Sequence, residues 1–169
     1  ADIDDSLSSG TYIISGGSLS AVRLDTGGNG TSTAKFSVIG SDAAVSFSGT
    51  SWLAGQTELE FILDTNGVSP LMMTNGGYSA AGTAAIAVNA ADFEGAIGTE
   101  FELIDINSGG SLSVFGNTNL IGGSLDYRAD DGLYFVTAPL PTIPSTNLWD
   151  ESFAGTTRND SWLNRGIGG

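Results

Sequence analysis

The chain has 169 residues, of which 40% are hydrophobic, and its formal net charge at pH 7 is −14. This length suits a single domain, and the hydrophobic fraction favours a packed core over a disordered chain. The absence of cysteine and histidine excludes the usual zinc, haem and iron–sulfur sites and catalysis by either residue, while 19 acidic against 5 basic residues argue against nucleic acid or an anionic membrane as a partner.

Residues 10–49 predict a series of short strands separated by glycine. Apolar and polar side chains alternate in the strand Thr33–Ile39 and again in the strand Ala43–Ser48. Alternate side chains of a strand point to opposite faces, so one set in each strand is predicted to face the core. The members of that set are Ala34, Phe36, Val38, Ala43, Val45 and Phe47.

The clearest strand pattern is the stretch Leu53–Leu63. Thr57, Leu59, Phe61 and Leu63 share one parity and predict a buried face, whereas Glu58, Glu60 and Ile62 share the other. The stretch continues into Asp64–Gly67, which ends in Asn-Gly, a dipeptide that favours a turn with positive φ.

Further strands follow toward the C-terminus. In Thr99–Ile106, Phe101 and Leu103 are predicted to face opposite to Glu100, Glu102 and Ile104. The strands Leu125–Arg128 and Leu133–Val136 are joined by residues 129–132, which end in Asp-Gly and predict a hairpin.

Together these elements predict an all-β fold: a jelly-roll-like sandwich of about eleven short strands, solenoid-like toward its N-terminal end. Residues 1–138 are assigned to this domain. Residues 139–169 are assigned to a proline-rich linker and an aromatic tail, because three prolines between positions 139 and 144 prevent regular strand pairing. No apolar run reaches the roughly 18 residues that a membrane-spanning helix needs.

Three stretches carry a resemblance to a known kind of protein region: Gly30–Gly40, Leu59–Pro70 and Gly98–Asp105. Through them, residues 30–137 resemble the Gly-rich β regions of secreted bacterial proteins of the PEP-CTERM kind and of autotransporter-like surface proteins. The resemblance implies a solenoid or jelly roll without catalytic activity and with a role at the cell surface or in a matrix. Residues 139–141 read Pro-Leu-Pro where such proteins carry a Pro-Glu-Pro signal, and no apolar span follows, so anchoring by that route is not implied.

Two kinds of ligand site are open to the acidic residues. Paired carboxylates can serve glycoside hydrolysis, but Glu58 with Glu60 and Glu100 with Glu102 are explained by solvation and by protection of strand edges. Calcium binds six to eight oxygen atoms, and oxygen-rich loops supply candidate ligands for it. Those candidates are Asp64, Asn66, Asp25 and Asn29, for which ordinary turn formation is the competing interpretation.

Aromatic side chains raise the alternative of polysaccharide binding, because an aromatic face can stack on a sugar ring. Core packing explains the same residues equally well. The candidates are Trp52, Tyr78, Tyr127 and Tyr134.

The terminal segments are predicted to make contacts between subunits. Thr11–Ser15 and the segment around Ile3 and Leu7 can form a strand that pairs with another chain. The tail is apolar behind a stiff spacer, and leaving its aromatic residues in water would forgo several kcal/mol of burial. It is therefore expected to dock, either on its own domain or on a neighbour, through Trp149, Phe153, Trp162 and Ile167.

These features predict a non-enzymatic extracellular structural subunit that self-assembles through its terminal segments into a filament, sheath or surface layer. A head-to-tail contact repeated between copies would give an open fibre. The low lysine content, the acidic balance and an N-terminus without methionine favour secretion to the cell surface. The alternative is a carbohydrate-binding or calcium-binding adhesion module of a larger surface protein. No cofactor other than calcium is expected.

Overall fold

The computed structural model describes residues 9–26, 33–53, 56–73, 78–80, 84–106, 117–128 and 131–140. These ranges contain strands and turns and no helix, which confirms the all-β prediction. The strands are β1 (Ser9–Ile14), β2 (Gly17–Ala21), β3 (Asp25–Thr26), β4 (Thr33–Ile39), β5 (Ala43–Phe47), β6 (Ser51–Leu53), β7 (Gln56–Ile62), β8 (Leu71–Met73), β9 (Tyr78–Ala80), β10 (Ala85–Asn89), β11 (Glu100–Ile106), β12 (Asn117–Ile121), β13 (Gly123–Arg128) and β14 (Gly132–Thr137).

The strands form three sheets. Sheet 1 has the order β1-β4-β7-β10-β12, sheet 2 has the order β2-β5-β8-β11-β14-β13, and sheet 3 has the order β3-β6-β9. Neighbouring strands run parallel throughout the described residues, except that β14 is antiparallel to both β11 and β13.

The chain visits the three sheets in rotation. It passes from β1 to β2 to β3, repeats the circuit through β4, β5 and β6, and repeats it again through β7, β8 and β9. Ser9 lies beside Thr33 and Thr33 beside Gln56, so that one circuit takes roughly 24 residues, a length typical of repeat architectures. The molecule is therefore a parallel β-solenoid that ends in an antiparallel hairpin.

This pairing differs from that of a jelly roll, whose strands are antiparallel. The solenoid-like character predicted for the N-terminal end is the pattern of the first circuits, and the parallel pairing continues as far as β12. The two larger sheets nevertheless share one core, as the sheets of a sandwich do. Phe36 of sheet 1 and Phe47 of sheet 2 meet edge to face across it, with ring centroids 6.1 Å apart.

The predicted strand parities place the core correctly. In β7, Leu59 and Phe61 are fully buried, whereas Glu58 and Glu60 lie on the outer face of sheet 1. Phe36 and Val38 in β4, and Ala43, Val45 and Phe47 in β5, are buried as predicted. Other fully buried large side chains are Leu53, Leu63, Leu71, Met73, Ile86, Leu103, Ile104 and Phe135.

The orientation predicted for Ile104 is wrong. The register of β11 against β14 shifts between Glu102 and Ile104, which is a β-bulge. A bulge adds one residue to one strand and so interrupts the alternation of faces. As a result, Leu103 and Ile104 are consecutive and both fully buried.

The turn predicted at Asp64–Gly67 is present. The backbone N–H of Asp64 donates to the carbonyl oxygen of Gly67 at 2.9 Å, and Gly67 has a φ of 118°. The Asp64 carboxylate closes the turn from its other side by accepting hydrogen bonds from the backbone N–H groups of Asn66 at 2.7 Å and Gly67 at 2.9 Å. This is the local aspartate turn that competes with metal binding for the same oxygen atoms.

The predicted Asp-Gly hairpin is also present as β13 and β14, which pair antiparallel from Gly123 with Thr137 to Arg128 with Gly132. The described chain ends three residues after β14, at Leu140, so nearly all of the predicted segment 139–169 lies outside it. No helix in the described ranges is long and apolar enough to span a membrane.

Candidate functional site: the open end of the solenoid

At one end of the solenoid, the outer edge of β1 has no partner among the described residues. Strand β1 pairs with β4 along its whole length, from Ser9 beside Thr33 to Ile14 beside Val38. No described residue pairs with its other edge. Strands β2 and β3 are likewise the first strands of sheets 2 and 3. We call the surface formed by β1, β2 and the turns that join them the open end.

The open end exposes apolar side chains, and one of them, Tyr12, lies in a row that belongs to the core in the rest of sheet 1. Tyr12 stacks on Phe36 with ring centroids 5.2 Å apart and planes 9° apart, yet Tyr12 is 48% exposed. The next positions in the same inward row, Leu59 and Ile86, are fully buried. Ile13 is 60% exposed and Val22 is 68% exposed. At this end the core therefore continues to the molecular surface.

The residues that form most of the open end are uncharged. Residues 9–22 contain no acidic or basic side chain, although the whole chain has a net charge of −14. The first charged pair along the chain after this stretch is Arg23 with Asp25, whose Nε and Oδ2 atoms lie 2.6 Å apart. An uncharged, partly apolar surface on a strongly acidic protein is the kind of patch that marks a protein contact.

The opposite end is built differently. There the hairpin β13–β14 ends sheet 2, and its outer strand carries Asp126 and Arg128. The Arg128 guanidinium donates to Asp126 at 2.9 Å and to Glu100 at 2.8 Å, and it lies 4.1 Å from the centre of the Tyr134 ring. Charged side chains on an outer strand oppose pairing with another chain. We call this surface the hairpin end.

Carboxylates and a tyrosine form a polar cluster beside Arg128. The Tyr134 hydroxyl lies 2.9 Å from Glu102 Oε1 and 3.1 Å from Asp131 Oδ2. Burial raises the pKa of Glu102, and the nearby charges of Asp105 and Asp131 add to this, against the hydrogen bond from Tyr134. Burial and the same two hydrogen bonds raise the pKa of Tyr134 to about 12, so it stays a neutral donor at physiological pH. No three acidic residues of the described chain are grouped so as to hold a metal ion.

The outer face of sheet 1 holds a second charged group, centred on the only lysine. Lys35 Nζ lies 2.9 Å from Glu58 Oε1 and 2.7 Å from Glu60 Oε1, on the neighbouring strand. Glu60 also accepts a hydrogen bond from the Ser37 hydroxyl at 2.7 Å. The hydrogen bonds that Lys35 donates to Glu60 and Glu58 raise its pKa. Burial raises the pKa of Glu60, but its bonds with Lys35 and Ser37 outweigh this and leave it below its usual value.

Replacing Lys35 with methionine is expected to destabilise the protein by about 1 kcal/mol at pH 7, since such pairs are partly screened by solvent. Folding lowers the pKa of Glu60, so that carboxylate stabilises the fold above its ordinary pKa of 4.5 and ceases to do so as the pH falls below it. The raised pKa of Lys35 means that its contribution persists up to and beyond 10.5. Urea denaturation at several pH values should therefore show a wild-type advantage at neutral pH that shrinks in acid. An equal advantage at pH 3 and pH 7, or an equal effect of the control Arg23→Met, would contradict this.

The candidate calcium ligands are not brought together. Asp64 and Asn66 lie in the turn after β7, where three backbone N–H groups, those of Asn66, Ser41 and Gly67, donate to the Asp64 carboxylate and lower its pKa. Asp25 lies in sheet 3 and pairs with Arg23. Asn29 lies outside the described residues.

The other predicted contact residues divide into two groups. Ile3, Leu7, Trp149, Phe153, Trp162 and Ile167 lie outside the described residues, as do the side chains of Trp52 and Tyr78. Tyr134 has one ring face covered by Arg128, whereas Tyr127 is 48% exposed at the hairpin end. The predicted pairing segment Thr11–Ser15 overlaps β1 and so lies on the unpaired edge.

An apolar pocket of about 200 Å³ lies where the described chain ends. The residues that line it include Phe93, Ile97, Gly122 and Leu140. Sequence reasoning missed this pocket and the exposure of Val22, because both depend on which turns meet in space.

Comparison with protein family models, with curated proteins and with solved structures finds no match to this chain.

Proposed function

We propose that this chain is a non-enzymatic structural subunit of an extracellular assembly and that it associates with other subunits through its terminal regions. The observation that carries the proposal is the unpaired edge of β1, which is uncharged and exposes Tyr12 and Ile13. A filament, a sheath and a surface layer are all assemblies that such a subunit can build.

The support comes from what soluble proteins do with strand edges. They protect an exposed edge with lysine, proline, a bulge or a covering segment, because an unprotected edge pairs with other chains. Solenoids in particular need terminal caps with a polar outer face to remain soluble. In the described chain the hairpin end has such a charged strand, and β1 has none of these protections.

The proposal also includes a location outside the cell and a role without catalysis. The resemblance of residues 30–137 to Gly-rich β regions of secreted bacterial surface proteins supports both. The acidic surface suits a subunit that must stay soluble before it assembles, because net charge opposes unspecific association.

Replacing Ile13 with lysine in the full chain is expected to weaken self-association about tenfold or more, because a lysine on an edge strand opposes pairing with another chain. Ile13 is 60% exposed, so the monomer should keep its fold and its circular dichroism spectrum. Sedimentation velocity over a concentration series measures the effect.

The matched control is Ile97→Lys, which makes the same chemical change at a residue that is 68% exposed in the turn between β10 and β11. It should associate like the wild type. If wild-type protein stays monomeric at every concentration, the structural-subunit proposal fails. If Ile97→Lys disrupts assembly and Ile13→Lys does not, the contact lies at the hairpin end instead.

The adhesion-module alternative has one observation in its favour, the exposed ring of Tyr127 on β13. It predicts saturable binding of a polysaccharide or of calcium by a monomer. Calorimetric titration with calcium and screening against a set of glycans separate the two functions, because a structural subunit should bind neither and should sediment as an oligomer.

A further inference from the structure

We propose that two copies of this chain meet through their open ends in a two-fold contact, with β1 of one copy antiparallel to β1 of the other. This inference rests on the proposed function, because it specifies how the same surface self-associates. It commits the unpaired edge to one occupant, which is the identical edge of a second copy.

The edge of β1 is suited to accept a strand along its whole length. Its six residues, Ser9–Ile14, pair with β4 in unbroken register without a bulge, and none of them is proline or charged. A partner strand can therefore extend sheet 1 without local rearrangement. It would also cover Tyr12, whose ring already stacks on Phe36.

Electrostatic repulsion disfavours the charged faces of the protein as the contact and leaves the uncharged open end as a candidate. Two chains of net charge −14 repel each other, and the repulsion is smallest where the charges of each copy lie farthest from the contact. The open end offers a surface built largely from residues 9–22, which carry no charge. The outer face of sheet 1 carries Glu58 and Glu60 with a single lysine, and the hairpin end carries Glu100, Glu102, Asp126 and Asp131 against Arg128.

The shape of the two ends favours a two-fold contact over a head-to-tail one. Sheet 1 ends at β12 after five strands, whereas sheet 2 continues through β14 to β13 and has six. The outer edges there, β12 and β13, are thus offset by one strand, although both run in the direction of the strands at the open end. β13 also carries Asp126 and Arg128, so the hairpin end does not match the uncharged open end of another copy. Two open ends, in contrast, present identical edges to each other.

The geometry of such a contact makes a sharp prediction. A two-fold axis perpendicular to sheet 1 places the outer faces of the two copies side by side. Opposed residues of the two β1 strands then point to the same face, so one residue near the middle of β1 lies directly opposite the same residue of the other copy. Opposed residues in antiparallel strands have Cα atoms about 4.5–5.5 Å apart, which lies within the range that a disulfide bridges. In a head-to-tail contact, no residue lies opposite itself.

The test uses single-cysteine variants of the full chain, which has no cysteine of its own. Gly10→Cys, Thr11→Cys, Tyr12→Cys and Ile13→Cys place a thiol at each central position of β1, and Ile97→Cys serves as the exposed control away from it. Under oxidised glutathione, one β1 variant should form a disulfide-linked dimer about tenfold faster or more than Ile97→Cys at equal concentration, because the contact raises the effective thiol concentration. Sedimentation of the wild type should show a dimer.

The outcomes separate the inference from the proposed function. Wild-type protein that associates, while no β1 variant crosslinks faster than Ile97→Cys, overturns the two-fold contact and leaves the structural role intact. Wild-type protein that remains monomeric overturns both. Circular dichroism identifies any variant that fails to fold, and the remaining β1 positions, of which Ile13 is the most exposed, still decide the result.

Discussion

Replacing Phe61 with alanine is expected to destabilise the protein by about 3–5 kcal/mol, the range found when a buried phenylalanine is truncated in a core. Phe61 is fully buried in β7, the central strand of sheet 1. Its register neighbours on the two adjoining strands are Val38 and Val88, which are also buried. The cavity would lie in the middle of the solenoid, where strands on both sides are held by further strands and collapse is restricted.

Guanidinium denaturation measures this effect as a lower midpoint at an unchanged slope. The matched control is Ile62→Ala, the next residue of the same strand, which is only partly buried on the outer face. It should lose about 1 kcal/mol, because less apolar surface leaves its buried environment. Equal losses in the two variants would contradict the assignment of the two faces.

Replacing Gly67 with alanine is expected to cost about 3 kcal/mol, from backbone strain and overpacking together. The φ of Gly67 is 118°, a conformation that side chains with a Cβ atom rarely adopt. A Cβ atom at this position would also collide with the ring of Phe101, which packs edge to face on Phe93 with ring centroids 4.9 Å apart. Thermal and denaturant unfolding measure the loss.

Gly98→Ala separates the two contributions. Gly98 also has a positive φ, of 84°, but a Cβ atom there would meet nothing within 4 Å. It should lose only the backbone part, about 1 kcal/mol. If both variants lose the same free energy of unfolding, the Phe101 ring moves aside without cost and the predicted packing contribution is wrong.

Which side chains face the core could be predicted from the sequence because that information is local. Leu59 and Phe61 alternate with Glu58 and Glu60, and any strand with this alternation must bury the first pair if it lies on a core. The hairpin β13–β14 was equally accessible, because Asp131-Gly132 is a local signal for an antiparallel reversal. The bulge in β11 has no such signal, and for that reason Ile104 was assigned to the wrong face.

The direction of pairing could not be predicted in the same way. Parallel strands in a solenoid are linked by a whole circuit of chain, such as that from Ser9 to Thr33, rather than by a short turn with a recognisable composition. The circuits also differ in sequence and length, since Ala85 pairs with Asn117 after a longer one. Strand alternation is the same in a sandwich and in a solenoid, so residue patterns alone favoured the more familiar jelly roll.

The candidate site was partly accessible. The segment Thr11–Ser15 was expected to form a strand that pairs with another subunit, and it overlaps the strand whose edge has no partner among the described residues. That Tyr12 is exposed while Phe36 beside it is buried could not be inferred, because burial depends on whether another circuit precedes β1. Of the calcium candidates, Asp64 belongs to the turn between β7 and β8, whereas Asp25 belongs to β3 and pairs with Arg23.

The antiparallel hairpin has a consequence for how this architecture can grow. Because β14 runs against β11, the parallel stacking of sheet 2 is interrupted there, whereas each circuit upstream touches only its immediate neighbours. Duplicating a whole circuit between β7 and β10 would lengthen the body by one strand spacing, about 4.8 Å, and leave both terminal surfaces unchanged. The length of the molecule can thus change in discrete steps, one circuit at a time, without a change at either end.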